Sequence, residues 1–137
     1  MRPIFPALVI FPALVISALF ASIGSASAGT AMPPCNVQYK GIEKVAGYDV
    51  RVYSGVYKPG KGCRQIIELS SRDFPATMLK AELLNKPLKG KVRTQKSYFE
   101  YTPKKGYSGK DDFVLSYYVK NKFGTGYQFT HIKLRPR

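Results

Sequence analysis

Short runs of alternating apolar and polar residues, broken by glycine and proline, fill most of the chain beyond residue 30. Tyr48, Val50 and Val52 alternate with Asp49 and Arg51, the period of a half-buried strand with its three apolar side chains inward. Residues 36–40 and 64–69 read as further strands, the second with Ile67 and Leu69 on one face. Between them Lys58-Pro59-Gly60-Lys61-Gly62 is a turn, because proline fixes one dihedral and glycine permits positive φ. Residues 73–85 carry two patterns. Asp73 and Pro75 suit a helix start and Ala76, Met78, Leu79 and Ala81 are good helix formers, yet Thr77, Leu79, Ala81 and Leu83 also alternate as a strand. Strands follow at Gly90 and Val92 and at residues 97–101. Phe113, Leu115, Tyr117 and Val119 alternate behind them, then a glycine-containing hairpin at 121–126 leads to a closing strand at 127–135 with Ile132 and Leu134 inward. Strands this short, with turn chemistry between them, predict an all-β antiparallel sandwich of one domain.

The first 28 residues differ in kind. Arg2 precedes an almost wholly apolar run over residues 4–20, and Ala26-Ser27-Ala28 is the small-x-small pattern of a signal-peptidase site. Within the run Phe5-Pro6-Ala7-Leu8-Val9-Ile10 recurs as residues 11–16, and its two prolines oppose a stable membrane-spanning helix. The reading is a signal peptide over residues 1–28, cleaved rather than kept as an anchor, and a domain over 29–137. No later segment has the roughly 18 continuous apolar residues of a membrane span. Export, to the periplasm or outside a bacterial cell, makes a disulfide the simplest use of Cys35 and Cys63, 28 positions apart.

One stretch is more specific than the rest: Phe99-x-Tyr101-x-Pro103-x-x-Gly106-Tyr107-x-Gly109-x-Asp111-x-Phe113, preceded by Pro87, Gly90 and Val92. Residues 87–134 on this pattern resemble the C-terminal half of bacterial cadherin-like and immunoglobulin-like repeats of exported surface proteins. The resemblance implies an immunoglobulin-like sandwich, favours a strand over a helix at 73–85, and gives Tyr101, Pro103, Gly106, Gly109, Asp111 and Phe113 the role of a structural corner. It also raises calcium at Asp111 and Asp112, which the surrounding Lys104, Lys105 and Lys110 oppose, since calcium takes six to eight oxygens.

Catalytic chemistry finds little support. His131 is the sole histidine, and no serine lies in a Gly-x-Ser-x-Gly elbow. Two cysteines and one histidine do not make a four-ligand metal site. The expectation is a non-catalytic module without cofactor. Charge is the better guide, because 22 Lys and Arg against 8 acids give a net of +14, a field that attracts polyanions such as anionic polysaccharide or lipopolysaccharide phosphates. The candidate contacts are Lys58, Lys61, Arg64, Lys89, Lys91, Arg93, Lys104, Lys105, Lys110, Lys120 and Lys122, beside tyrosines 53, 57, 98, 107, 118 and 127. A protein partner in the envelope, met by an edge strand or a loop, is the rival reading.

Overall fold

The structure, a computed structural model, describes residues 31–67, 75–96 and 98–137. The expected signal peptide lies outside the described residues, as do Glu68, Leu69, Asp73 and Ser97. Among the described residues eight strands form: β1 (Gln38–Val45), β2 (Tyr48–Tyr57), β3 (Cys63–Ile66), β4 (Thr77–Asn85), β5 (Gly90–Gln95), β6 (Tyr98–Pro103), β7 (Asp111–Asn121) and β8 (Gly124–Pro136). They build a five-stranded sheet, β1-β2-β8-β7-β4, packed on a three-stranded sheet, β3-β6-β5. Counting from β2, the third, sixth and seventh strands share one sheet and the second, fourth and fifth the other. That is the immunoglobulin-like arrangement. The pairing is antiparallel except between β2 and β8, which run parallel. Alternation within strands carries no sign of this exception; it arises because β2 connects to β3 in the opposite sheet and meets β8 without a hairpin.

The ambiguous segment is a strand. β4 has bulges between Met78 and Lys80 and between Leu83 and Asn85, so its inward residues are Met78, Ala81 and Leu83, a helix-like spacing produced by irregular strand. The first strand is longer than expected, Gln38–Val45 rather than 36–40, and it forms a hairpin with β2. Its turn is Ala46-Gly47, with φ of 50° and 85°, the two positive values of a type I′ connection.

The face assigned to β2 also needs correction. Val50 and Val52 pair laterally with Phe129 and His131, whereas Tyr53 pairs with Ile132, a core residue. Tyr57 is buried within the sandwich, Tyr53 packs against the core, and Tyr48, Val50 and Val52 face away from the second sheet. Asp49 and Arg51 belong to the same alternate set as Tyr53 and Tyr57, so the charges at the start of the strand direct a periodicity reading to the wrong face.

Aromatic rings fill the interior. Phe99 and Tyr101 from β6 meet Phe113 from β7 at 5.3 and 6.1 Å between centroids, while Tyr57 and Tyr101 lie edge-on at 5.1 Å. Leu115, Tyr117, Ile132 and Leu134 complete the layer. Cys35 and Cys63 form a disulfide with both residues fully buried. Cys35 sits between the sheets' edges, its N–H donating to Arg64 O and its carbonyl accepting from Val56 N. The bridge therefore ties the lead-in segment to β2 and β3 together. Replacing both cysteines by alanine is expected to lower unfolding free energy by about 3–4 kcal/mol, measured from urea midpoints at constant m-value.

Candidate functional site

Asp111 opens β7 as a buried carboxylate that accepts four hydrogen bonds. The donors are Leu88 N at 3.1 Å, Lys89 N at 3.0 Å, Tyr101 Oη at 2.8 Å and Asp112 N at 3.0 Å. One side chain thus joins the 86–89 connection to the 104–110 corner. Lys104 N donates to Lys89 O at 2.8 Å, and Tyr107 Oη donates to Lys110 O at 2.5 Å. Tyr57 reaches in from β2 to donate to Gly109 O at 2.6 Å. The turn that follows it, closed by Lys61 N and Gly62 N donating to Lys58 O, lies at the same end. Gly62 is required there: its φ is 85°, and a Cβ would fall 1.9 Å from Tyr101 O. Arg137 N donates to Tyr57 O, bringing the last residues to this end too.

Six of the candidate lysines converge on this pole: Lys58 and Lys61 from one connection, Lys89 from a second, and Lys104, Lys105 and Lys110 from a third. The ammonium of Lys89 lies 5.9 Å from the Tyr107 ring centroid, a cation–π contact. Among the described residues none of the six pairs with a carboxylate within 4.0 Å. Pro103 and Gly106 shape the corner itself, Gly106 with φ of 81°.

The remaining candidates lie elsewhere. Arg64 and Arg93 flank Glu100 across the outer face of the three-stranded sheet, with Lys91 beside Thr102. The Arg64 guanidinium stacks 4.0 Å from the Tyr98 centroid and reaches Glu100 at 3.9 Å. Lys120 and Lys122 belong to the β7–β8 hairpin at the opposite end. Tyr53 and Tyr57, read as surface tyrosines among the lysines, belong to the interior instead.

A polar network on the outer face of the five-stranded sheet was not anticipated. His131 Nε2 lies 2.6 Å from Asp112 Oδ2 and Nδ1 lies 3.7 Å from Glu43 Oε2, while Lys133 Nζ donates to Glu43 Oε1 at 3.2 Å. Hydrogen bonding and charge from Lys133, then the charge of His131, hold the Glu43 carboxyl below its usual range. Among the described residues the polar partners of His131 are the carboxylates of Asp112 and Glu43. The described residues also contain no cluster of three or more His, Cys, Asp or Glu able to hold a metal.

No protein-family model matches the chain, and no curated protein is detectably similar to it.

Two outcomes follow from the corner. Asp111→Ala leaves four donors without their acceptor, and unmet buried donors cost about 1–3 kcal/mol each before relaxation; a loss of at least about 3 kcal/mol is expected in urea unfolding. Burial raises the pKa of Tyr57, Tyr101 and Tyr117 above 10.0, reinforced at Tyr101 by its hydrogen bond to Asp111. A pKa higher in the folded state means that this stability is complete below pH 10 and declines above it. The slope reaches about 1.4 kcal/mol per pH unit for each tyrosine still protonated. Absorbance titration should show these three phenols ionising together with alkaline unfolding, and not before it.

Proposed function

We propose that this chain is an exported, non-catalytic, immunoglobulin-like binding module that captures anionic polymers of the cell envelope through its cationic pole. The convergence of Lys58, Lys61, Lys89, Lys104, Lys105 and Lys110 without carboxylate partners carries the reading. Neighbouring cations on connections held by a rigid corner raise local anion concentration without much ordering cost. The disulfide fits an oxidising compartment, and no helix among the described residues is long and apolar enough to cross a membrane. The motif over residues 87–134, with the sheet order behind it, supports the cadherin-like and immunoglobulin-like relationship.

Recognition through an edge strand is less well supported. β1 and β4, the two edges of the larger sheet, are bulged and carry Lys40, Lys44 and Lys80, devices that discourage pairing with a further strand.

The test is affinity for heparin and for lipopolysaccharide across a salt series. Binding should weaken steeply as ionic strength rises. Charge reversal at Lys58, Lys104, Lys105 and Lys110 should weaken it at least tenfold at 0.15 M salt, about 1.4 kcal/mol. Reversal at Lys120 and Lys122 should have a much smaller effect. Equal losses from both sets would show that net charge, and not the pole, is responsible.

A further inference from the structure

Alternate residues of β8 read Arg135, Lys133, His131, Phe129 and Tyr127 from its C-terminal end. Because Ile132 and Leu134 point into the core, this set lies on the outer face of the five-stranded sheet. The row runs from cations through a histidine to aromatic rings, with Arg135 and Phe129 roughly 20 Å apart at strand spacing. Its neighbours follow the same gradient. Ser54 lies beside Lys133, while Val50 lies beside Phe129 and Val52 beside His131.

Two open grooves lie end to end along this face. The first, about 590 Å³, is lined by Lys110, Lys133 and Arg135 together with Ser54, Asp112 and His131. The second, about 600 Å³, has apolar walls from Val45, Tyr48, Val50, Leu84, Val114 and Phe129, and no lysine or arginine lines it. Asp112 and His131 border both. They form a shared saddle, so the grooves make one trough that is cationic at one end and apolar at the other. Each half falls in the usual volume range of small-molecule sites.

We propose that this trough binds single molecules of an anionic amphiphile, its phosphate or carboxylate head among Lys110, Lys133 and Arg135 and its alkyl or acyl body over Phe129, Val50 and Tyr48. Charge complementarity selects this occupant. A linear polyanion would need cations along the whole trough, and the apolar half has none. A neutral or cationic amphiphile would leave Lys110 and Arg135 facing its head, beside a Lys133 shared with Glu43. The carboxylates beside the trough are already engaged, Asp112 by His131 and Glu43 by Lys133. The proposal deepens the envelope-binding reading and rests on it only for the preference for anions, because its apolar half is independent of the pole.

Calorimetry on the full, disulfide-bonded chain at 0.15 M salt tests it, with inorganic phosphate, octyl phosphate, decyl phosphate and decyl maltoside below their micelle concentrations and heparin in parallel. Decyl phosphate should bind at one site, more tightly than octyl phosphate by up to about fourfold per added methylene, and inorganic phosphate and decyl maltoside should bind far more weakly. Tyr48→Ser, at an exposed side chain that is safe for folding, and Phe129→Ala should each weaken decyl phosphate severalfold while leaving heparin unchanged. Affinity independent of chain length, equal affinity for decyl maltoside, or indifference to both variants would overturn the proposal. Loss of heparin binding on pole charge reversal, with decyl phosphate insensitive to trough variants, would sink the trough and leave the pole standing. Decyl phosphate binding with the expected variant effects would support the trough even if heparin binding proved insensitive to the pole lysines.

Discussion

A single buried carboxylate organises one end of this molecule. Asp111 takes hydrogen bonds from the connection before β5, from the phenol of Tyr101 on the smaller sheet and from its own following amide. Charge-assisted bonds of this kind are stronger than neutral ones, and here they cross between the sheets. Two lysine-bearing connections meet at this carboxylate, and the third is tied to them by the Tyr57 hydroxyl donating to Gly109 O. Without that anchor, like-charged loops would spread apart to reduce their mutual repulsion. The phenol that serves Asp111 is itself a core ring stacked on Phe113, so the electrostatic corner and the apolar interior share a residue.

The all-β sandwich and the disulfide were legible because each had a local signal: period-two alternation closed by glycine and proline, and an even cysteine pair in a chain whose first residues read as an export signal. β2 shows where legibility stops. Asp49 and Arg51 share their alternate set with Tyr53 and Tyr57, and only the lateral pairing with Ile132 identifies that set as the inward one. β4 was ambiguous for a related reason, since two bulges give its inward residues a helix-like spacing. The cationic pole was legible as lysines in turns, but not as a convergence, which depends on which connections share an end of the sandwich. Four of the trough's residues, Phe129, His131, Lys133 and Arg135, lie on the alternation of the last strand. Their meaning was hidden because assigning Val50 and Val52 to the interior removed the floor on which that row lies.

All six described acids are engaged: Asp49 by Lys44, Glu82 by Lys80, Glu100 by Arg64, Glu43 by Lys133 and His131, Asp112 by His131, and Asp111 by its four donors. Most of these pairs are exposed and contribute little to stability. Their larger effect is on the field. They leave the six lysines of the pole without a carboxylate partner, and the acid at that end, Asp111, is buried and surrounded by donors.

The same logic explains why the outer face of the larger sheet is not merely a solvated surface. Such a face ordinarily alternates polar residues against a buried set, yet here Val50, Val52, Val114 and Phe129 are buried or half-buried while facing away from the second sheet. Around this floor Val45, Tyr48 and Leu84 are exposed, and a contiguous exposed apolar patch generally marks an interaction site. The aromatic row adds a preformed contact surface: Tyr48 packs edge-on against Phe129 at 5.5 Å, and Tyr127 lies parallel to Phe129 at 6.4 Å. Rings already held by one another lose little freedom when a ligand is added. An apolar floor meeting a cationic end is therefore poorly explained by solubility or by core packing, and it has the two characters that the proposed amphiphile would carry in one molecule.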